Sequence, residues 1–166
     1  LKQYESLCES GGLIPQEVGV TSLQIFDLWR RVSSGSHWRS RNCLWVNVSD
    51  RALTTMIYQQ GRLLSYRCKL LGAEVTEASR KTDMLNKTLE ECCVSLEICQ
   101  QQHPSAVVKE AVICADGDIA AFRKLIETEL HLSVEQLGWE SVEALGRMAT
   151  ESDRGMTSLA AVAGVL

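Results

Sequence analysis

The stretch 45-WVNVSDRALTTMIYQQGRLLSYR-67 carries the period of strands. From Asn42 onward Leu44, Val46 and Val48 alternate with Trp45 and Asn47, and Leu53 to Tyr58 is rich in β-branched and aromatic residues. Gln59-Gln60-Gly61-Arg62 reads as a hairpin turn, and Leu63 to Leu70 as a third strand. These residues predict an antiparallel three-stranded meander.

Working outward, the period changes to three and four. Leu85, Leu89, Cys92, Cys93, Leu96 and Cys99 trace one face of a long helix that Pro104 closes, with Glu90, Glu91 and Glu97 off that face. Glu90 and Glu91 are expected on a solvated side, which could also receive a basic partner. Val107 to Ala115 then reads as a strand, Ile119 to Leu130 as a helix with Ile119, Phe122, Ile126 and Leu130 inward, and Leu132 to Leu137 as a strand. Ser158 to Leu166 reads as a terminal helix of small residues. Upstream, Leu1 to Glu9 has helical spacing and stops at Gly11-Gly12, Val18 and Val20 suggest a brief strand, and a helix from Ser22 sets Leu23, Phe26, Asp27 and Arg30 near one side. The order βββαβαβα implies an α/β domain, a mixed sheet with helices against its faces.

Composition narrows the function classes. A chain of 166 residues buries roughly 70% of its unfolded surface without needing staples. A formal charge of −4 argues against nucleic acid, and Trp38-Arg39-Ser40-Arg41 is too short a basic cluster to be more than a loop. Seven cysteines give no C-x-x-C pair and are expected to be reduced, small apolar residues; His37, His103 and His131 are far apart, so no metal site is expected. No apolar run is long enough to span a bilayer. No G-x-S-x-G context surrounds a serine, the meander strands place no acids at their centres, and no catalytic residue is expected. Trp29 and Trp45 are expected to pack internally, whereas Trp38, in a Ser/Arg-rich loop, is the candidate contact for a partner or a further domain.

Several segments, taken in order, resemble the PilM family of type IV pilus assembly proteins, which have the actin-like ATPase fold. They are 4-YESLCESGGLIPQEVGVTSLQIFDLW-29, 43-CLWVNVSDRALTTMIYQQGRLLSYR-67, 88-TLEECCVSLEICQQQHP-104, 111-AVICADGDIAAFRKLIETELHLSVEQL-137 and 159-LAAVAGVL-166. The resemblance implies the ribonuclease-H-like second half of that fold, with residues 1–36 a crossover helix, strand and helix and 37–166 the domain itself. The first half is expected in an N-terminal portion outside this chain. The cytoplasmic domains of type II secretion platform proteins are similar in fold and equally compatible.

The same resemblance locates a nucleotide site and shows it altered. Where the family has Asp-x-Gly on its second phosphate hairpin this chain has Asn47-Val48-Ser49, followed by Asp50, and the family's threonine falls at Leu53, with Thr54 and Thr55 beside it. Asparagine lacks the charge that holds a magnesium water shell, and Ser49 puts a Cβ where glycine lets backbone N–H groups approach phosphate. Where the family has Ser-Gly-Gly the chain has Ala115-Asp116-Gly117-Asp118, with Asp118 expected to cap the helix beginning at Ile119. The resemblance therefore implies a non-catalytic scaffold with a degenerate nucleotide remnant at Asn47, Ser49, Thr54, Ala115, Asp116 and Gly117, and no cofactor. Its partners are implied to be a PilN-like tail and possibly a motor ATPase, at the cytoplasmic side of the bacterial inner membrane. The alternative is an ATP- and Mg²⁺-binding actin-like enzyme whose other phosphate-gripping residues lie in the N-terminal half. A ribonuclease-H-like domain of unrelated role is a third reading.

Overall fold

The meander forms as its sequence predicts and becomes one side of a larger sheet. A computed structural model describes residues 2–12, 20–32, 35–49, 52–71, 77–115 and 119–138. β1 (Asn42–Ser49), β2 (Ala52–Gln59) and β3 (Arg62–Leu70) pair antiparallel in succession. Gln60 and Gly61, at φ 50° and 77°, turn β2 into β3 with the two left-handed residues that a tight hairpin requires. β4 (Glu110–Ala115) lies parallel to β1, and β5 (Ser133–Gln136) parallel to β4, giving the order β3-β2-β1-β4-β5.

Parallel neighbours need crossovers, and helices supply them. α3 (Glu77–Gln102) carries the chain from β3 to β4, and α4 (Ala120–Glu129) carries it from β4 to β5. Both pack on one face of the sheet, where Leu44, Val46, Leu53, Ile57, Ala111 and Ile113 meet Cys92, Cys99, Phe122 and Ile126. α2 (Thr21–Val32) covers the other face, driving Ile25, Phe26 and Trp29 against Trp45, Met56, Tyr58 and Val112. Phe26 stacks on Tyr58 at 4.1 Å between ring centres and meets Trp45 edge-on at 5.7 Å, both favoured aromatic geometries. α1 (Lys2–Ser10) ends as its glycines predict, with the Gly11 and Gly12 amides donating to Cys8 and Glu9, but it leaves Leu7 exposed.

Several expectations are corrected. The stripe of α2 that meets the sheet is Ser22, Ile25, Phe26 and Trp29; Leu23 is exposed, and Asp27 pairs with Arg30 and Arg31 at the surface. Ser22 fixes this phase by bonding into the sheet. Glu91 is not on a solvated side: it turns to β3, bonded to Arg67 at 3.2 Å and to Lys69, whereas Glu90 is exposed. α4 starts one residue later than expected, so Ile119 takes the cap position with no side-chain cap bond. Asp118, Val18 and the terminal helix at 158–166 lie outside the described residues; Val20 accepts the first amide bonds of α2, from Leu23 and Gln24. Trp38, Arg39 and Ser40 of the basic cluster lie in a 3-10 helix, Gly35–Ser40, and Arg41, which follows it, is part-buried and paired with Glu110. Among the described residues no helix is long and apolar enough to cross a membrane.

All seven cysteines are free thiols, as the spacing predicts. Burial pushes Cys43 and Cys92 up to about 12, and Cys114 upward as well, because a thiolate in the apolar core loses its hydration. The thiol form is favoured by folding, so this stability is fully present below the ordinary value of 9.0 and is lost as the pH rises towards about 12. Iodoacetamide at pH 8 is expected to label exposed Cys68 while sparing Cys43, Cys92 and Cys114 until urea unfolds the chain. Labelling of those three at the rate of Cys68 in native buffer contradicts this packing.

Candidate functional site

The sheet brings the expected site residues to one end. In register, Asn47 stands opposite Thr54 on β2 and Cys114 on β4, Val48 opposite Ala115, and Ser49 opposite Ala52. Asn47, Ser49, Thr54 and Ala115 therefore share the carboxyl ends of β1 and β4, where open α/β sheets place their ligands. Asp116 and Gly117 lie outside the described residues.

Asn47 sits on the face that α2 covers, and only 2% of it is exposed. Its Nδ2 donates to Ser22 Oγ at 3.1 Å, and Ser22 donates to Thr54 Oγ1 at 2.9 Å. All three residues are buried. A short polar chain thus runs from β1 through the first turn of α2 to β2, using hydroxyls and an amide with no formal charge. Asn47 Oδ1 is buried with no hydrogen-bond partner, and so is Trp45 Nε1, two residues away on the same face. Such orphans are uncommon in a packed interior. Ser22 was missed by sequence reasoning as a site residue; its spacing with Ile25, Phe26 and Trp29 was the available signal that it faces the sheet.

Ser49 and Ala115 are half-buried at the rim. Ser49 pairs with Ala52 at the end of the β1–β2 ladder. Trp38 is not in this region. It packs half-buried against the α2-side core, with the Arg30 guanidinium 4.2 Å from its ring centre and Arg39 at 5.7 Å. Two cations on its ring make Trp38 part of the chain's own packing.

A second polar group lies on the other face. Thr55 and Ser95 share a hydrogen bond at 2.8 Å, Arg67 donates to Ser95 at 3.0 Å, and Glu91 holds both Arg67 and Lys69 beside a small cleft lined also by Leu53 and Cys68. Its two cations share the single carboxylate of Glu91, which ties α3 to β3. Among the described residues no group of three or more His, Cys, Asp or Glu side chains is placed to hold a metal ion.

No protein-family model matches the chain. No curated protein matches it. Among solved structures it is similar to a chain of a PilM-PilN type IV pilus biogenesis complex, at 14% identity and a TM-score of 0.60 over 93% of this chain and 53% of that one. The fold is that of one half of an actin-like ATPase. An exopolyphosphatase from Cytophaga hutchinsonii is more distant, at 13% identity and a TM-score of 0.41, covering 88% of this chain and 55% of that one. This chain spans about half the length of each.

Asn47→Asp tests the environment of this end. The carboxyl enters a site with no cation among its hydrogen-bond partners, and burial raises its pKa. The variant is expected to match the parent below pH about 3, where an aspartate is mostly neutral even in the unfolded chain. As the pH rises the unfolded state ionises first, so by pH 7.5 urea unfolding should show a loss of about 1–3 kcal/mol. An equal loss at both pH values contradicts a carboxyl raised by burial.

Proposed function

We propose that the chain is a non-catalytic scaffold in a bacterial pilus-assembly or type II secretion platform, with a nucleotide site that no longer binds ATP. The observation that carries this reading is the buried, uncharged network of Asn47, Ser22 and Thr54. A phosphate hairpin must offer a carboxylate to the magnesium water shell and bare backbone to the phosphates. Here the position of the carboxylate holds an amide whose donor is consumed by α2, and the position of the glycine holds Ser49. Asn47 Oδ1 remains as a single neutral acceptor. A neutral acceptor is a poor substitute for a charged ligand of a hard divalent ion.

The fold shared with a chain of the PilM-PilN complex supports placing this protein in such a platform. Its partners there are proposed to be the cytoplasmic tail of a PilN-like inner-membrane protein and a motor ATPase, which would hold it at the cytoplasmic side of the membrane. Docking is then its whole task, and the two-faced packing of the sheet supplies the rigid body that docking needs.

Calorimetric titration of Mg-ATP into the complete polypeptide that carries this sequence is expected to give no binding heat. The Asn47→Asp, Ser49→Gly double variant, alongside, tests whether those positions removed the site. Capture of a PilN-like tail is expected to be the same with and without nucleotide. Micromolar ATP binding by the parent overturns the scaffold reading and favours the nucleotide-dependent alternative.

A further inference from the structure

β3 is the edge of the sheet, and its two faces differ in kind. Register with β2 places Leu63, Tyr66 and Leu70 on the side that α2 covers, opposite Tyr58, Met56 and Ala52. Met56 and Tyr58 are buried, but α2 stops short of the edge: Leu63 is 46% exposed, Tyr66 41% and Leu70 78%. On the other side, Arg67 and Lys69 stand opposite Thr55 and Leu53. The strand RLLSYRCKL contains three cations and no acid. Glu91 is shared between Arg67 and Lys69, and Arg62 has no acidic partner among the described residues. Among the described residues, therefore, an apolar ledge lies along one side of an unpaired strand edge, and a surplus of positive charge along the other.

We propose that this edge accepts an extended segment of a partner polypeptide in which apolar residues alternate with Asp or Glu. Adding a strand satisfies the outward backbone groups of β3, and the alternation of side chains supplies specificity. The partner's apolar residues cover Leu63, Tyr66 and Leu70, and its acids face Arg67 and Lys69 from across the new ladder. The same charges argue against a second copy of this chain. β3 against β3 brings like charges together, and lysine on an edge strand is a common guard against self-pairing. The surface runs along the β3 edge, whereas the nucleotide remnant lies at the end of the sheet that holds Ser49 and Asn47; the two adjoin where Leu70 pairs with Ala52, but the proposal requires no bound ATP.

The test is hydrogen exchange and titration on the complete chain with a short capped peptide alternating glutamate with valine, and with its lysine counterpart. The glutamate peptide is expected to slow exchange of the β3 amides, and the lysine peptide to leave them unchanged. Arg62→Glu combined with Lys69→Glu should weaken the glutamate peptide by about tenfold or more, with circular dichroism unchanged. Because Lys69 also pairs with Glu91, Arg62→Glu alone is the second variant; it disturbs no internal ion pair and should weaken binding about threefold. The amides read are those of β3 that point away from β2, since the inward ones are already bonded to it. Equal binding of both peptides, protection anywhere other than β3, or outward β3 amides already protected in the free protein overturns the proposal.

Discussion

β1 is paired on both edges and covered on both faces, with five consecutive buried residues from Cys43 to Asn47. The middle of such a strand is shut off from water, so a polar group there is answered by protein or left without a partner, as Asn47 Oδ1 and Trp45 Nε1 are. This constraint explains why α2 lies where it does: its apolar stripe covers Trp45 and Met56, and Ser22 in its first turn meets the amide of Asn47. A helix placed one residue out of phase takes Ser22 away from the amide of Asn47.

The opposite end of β1 is held by charge. Arg41 bonds Glu110 of β4 through two donors, at 2.6 and 2.9 Å, and reaches Glu135 of β5 at 2.7 Å. Glu135 also accepts from Trp29 Nε1 at 3.0 Å, so one guanidinium links β1, β4, β5 and, through that indole, α2. Burial works against the charge of Arg41, but the bonds to Glu110 and Glu135 outweigh it and the pKa rises. A bidentate pair of this kind fixes geometry as well as contributing energy. The neutral network at Asn47 and the charged clamp at Arg41 thus hold the strand at its two ends, by different chemistry.

The features legible in the sequence were those that depend on local period. The meander, the Gln60-Gly61 turn, α3, α4 and the inward Phe122 and Ile126 follow from spacing and turn chemistry, and the free thiols follow from the absence of paired spacing. Glu91 was misread because helical period marks which residues flank an apolar stripe without marking what stands opposite them. It sits at the border of that stripe, where Arg67 and Lys69 of β3 come within reach. Trp38 was read as a candidate partner contact because its loop is polar; what the sequence did not show is that Arg30 lies over its ring from the last turn of α2.

The site divides in the same way. The sequence by itself determined that the hairpin end carries Asn47 and Ser49 in place of an acid and a glycine, and that β3 carries cations and no acid, because residue identity needs no fold to be read. Only the tertiary structure decided that the Asn47 amide is consumed by Ser22, that Arg41 serves as a clamp, and that β3 ends the sheet with one apolar and one cationic side. The physical reason is separation along the chain. Asn47 and Ser22 are 25 residues apart and Arg41 and Glu110 are 69 apart, and no local pattern encodes which distant partner a buried polar group will find.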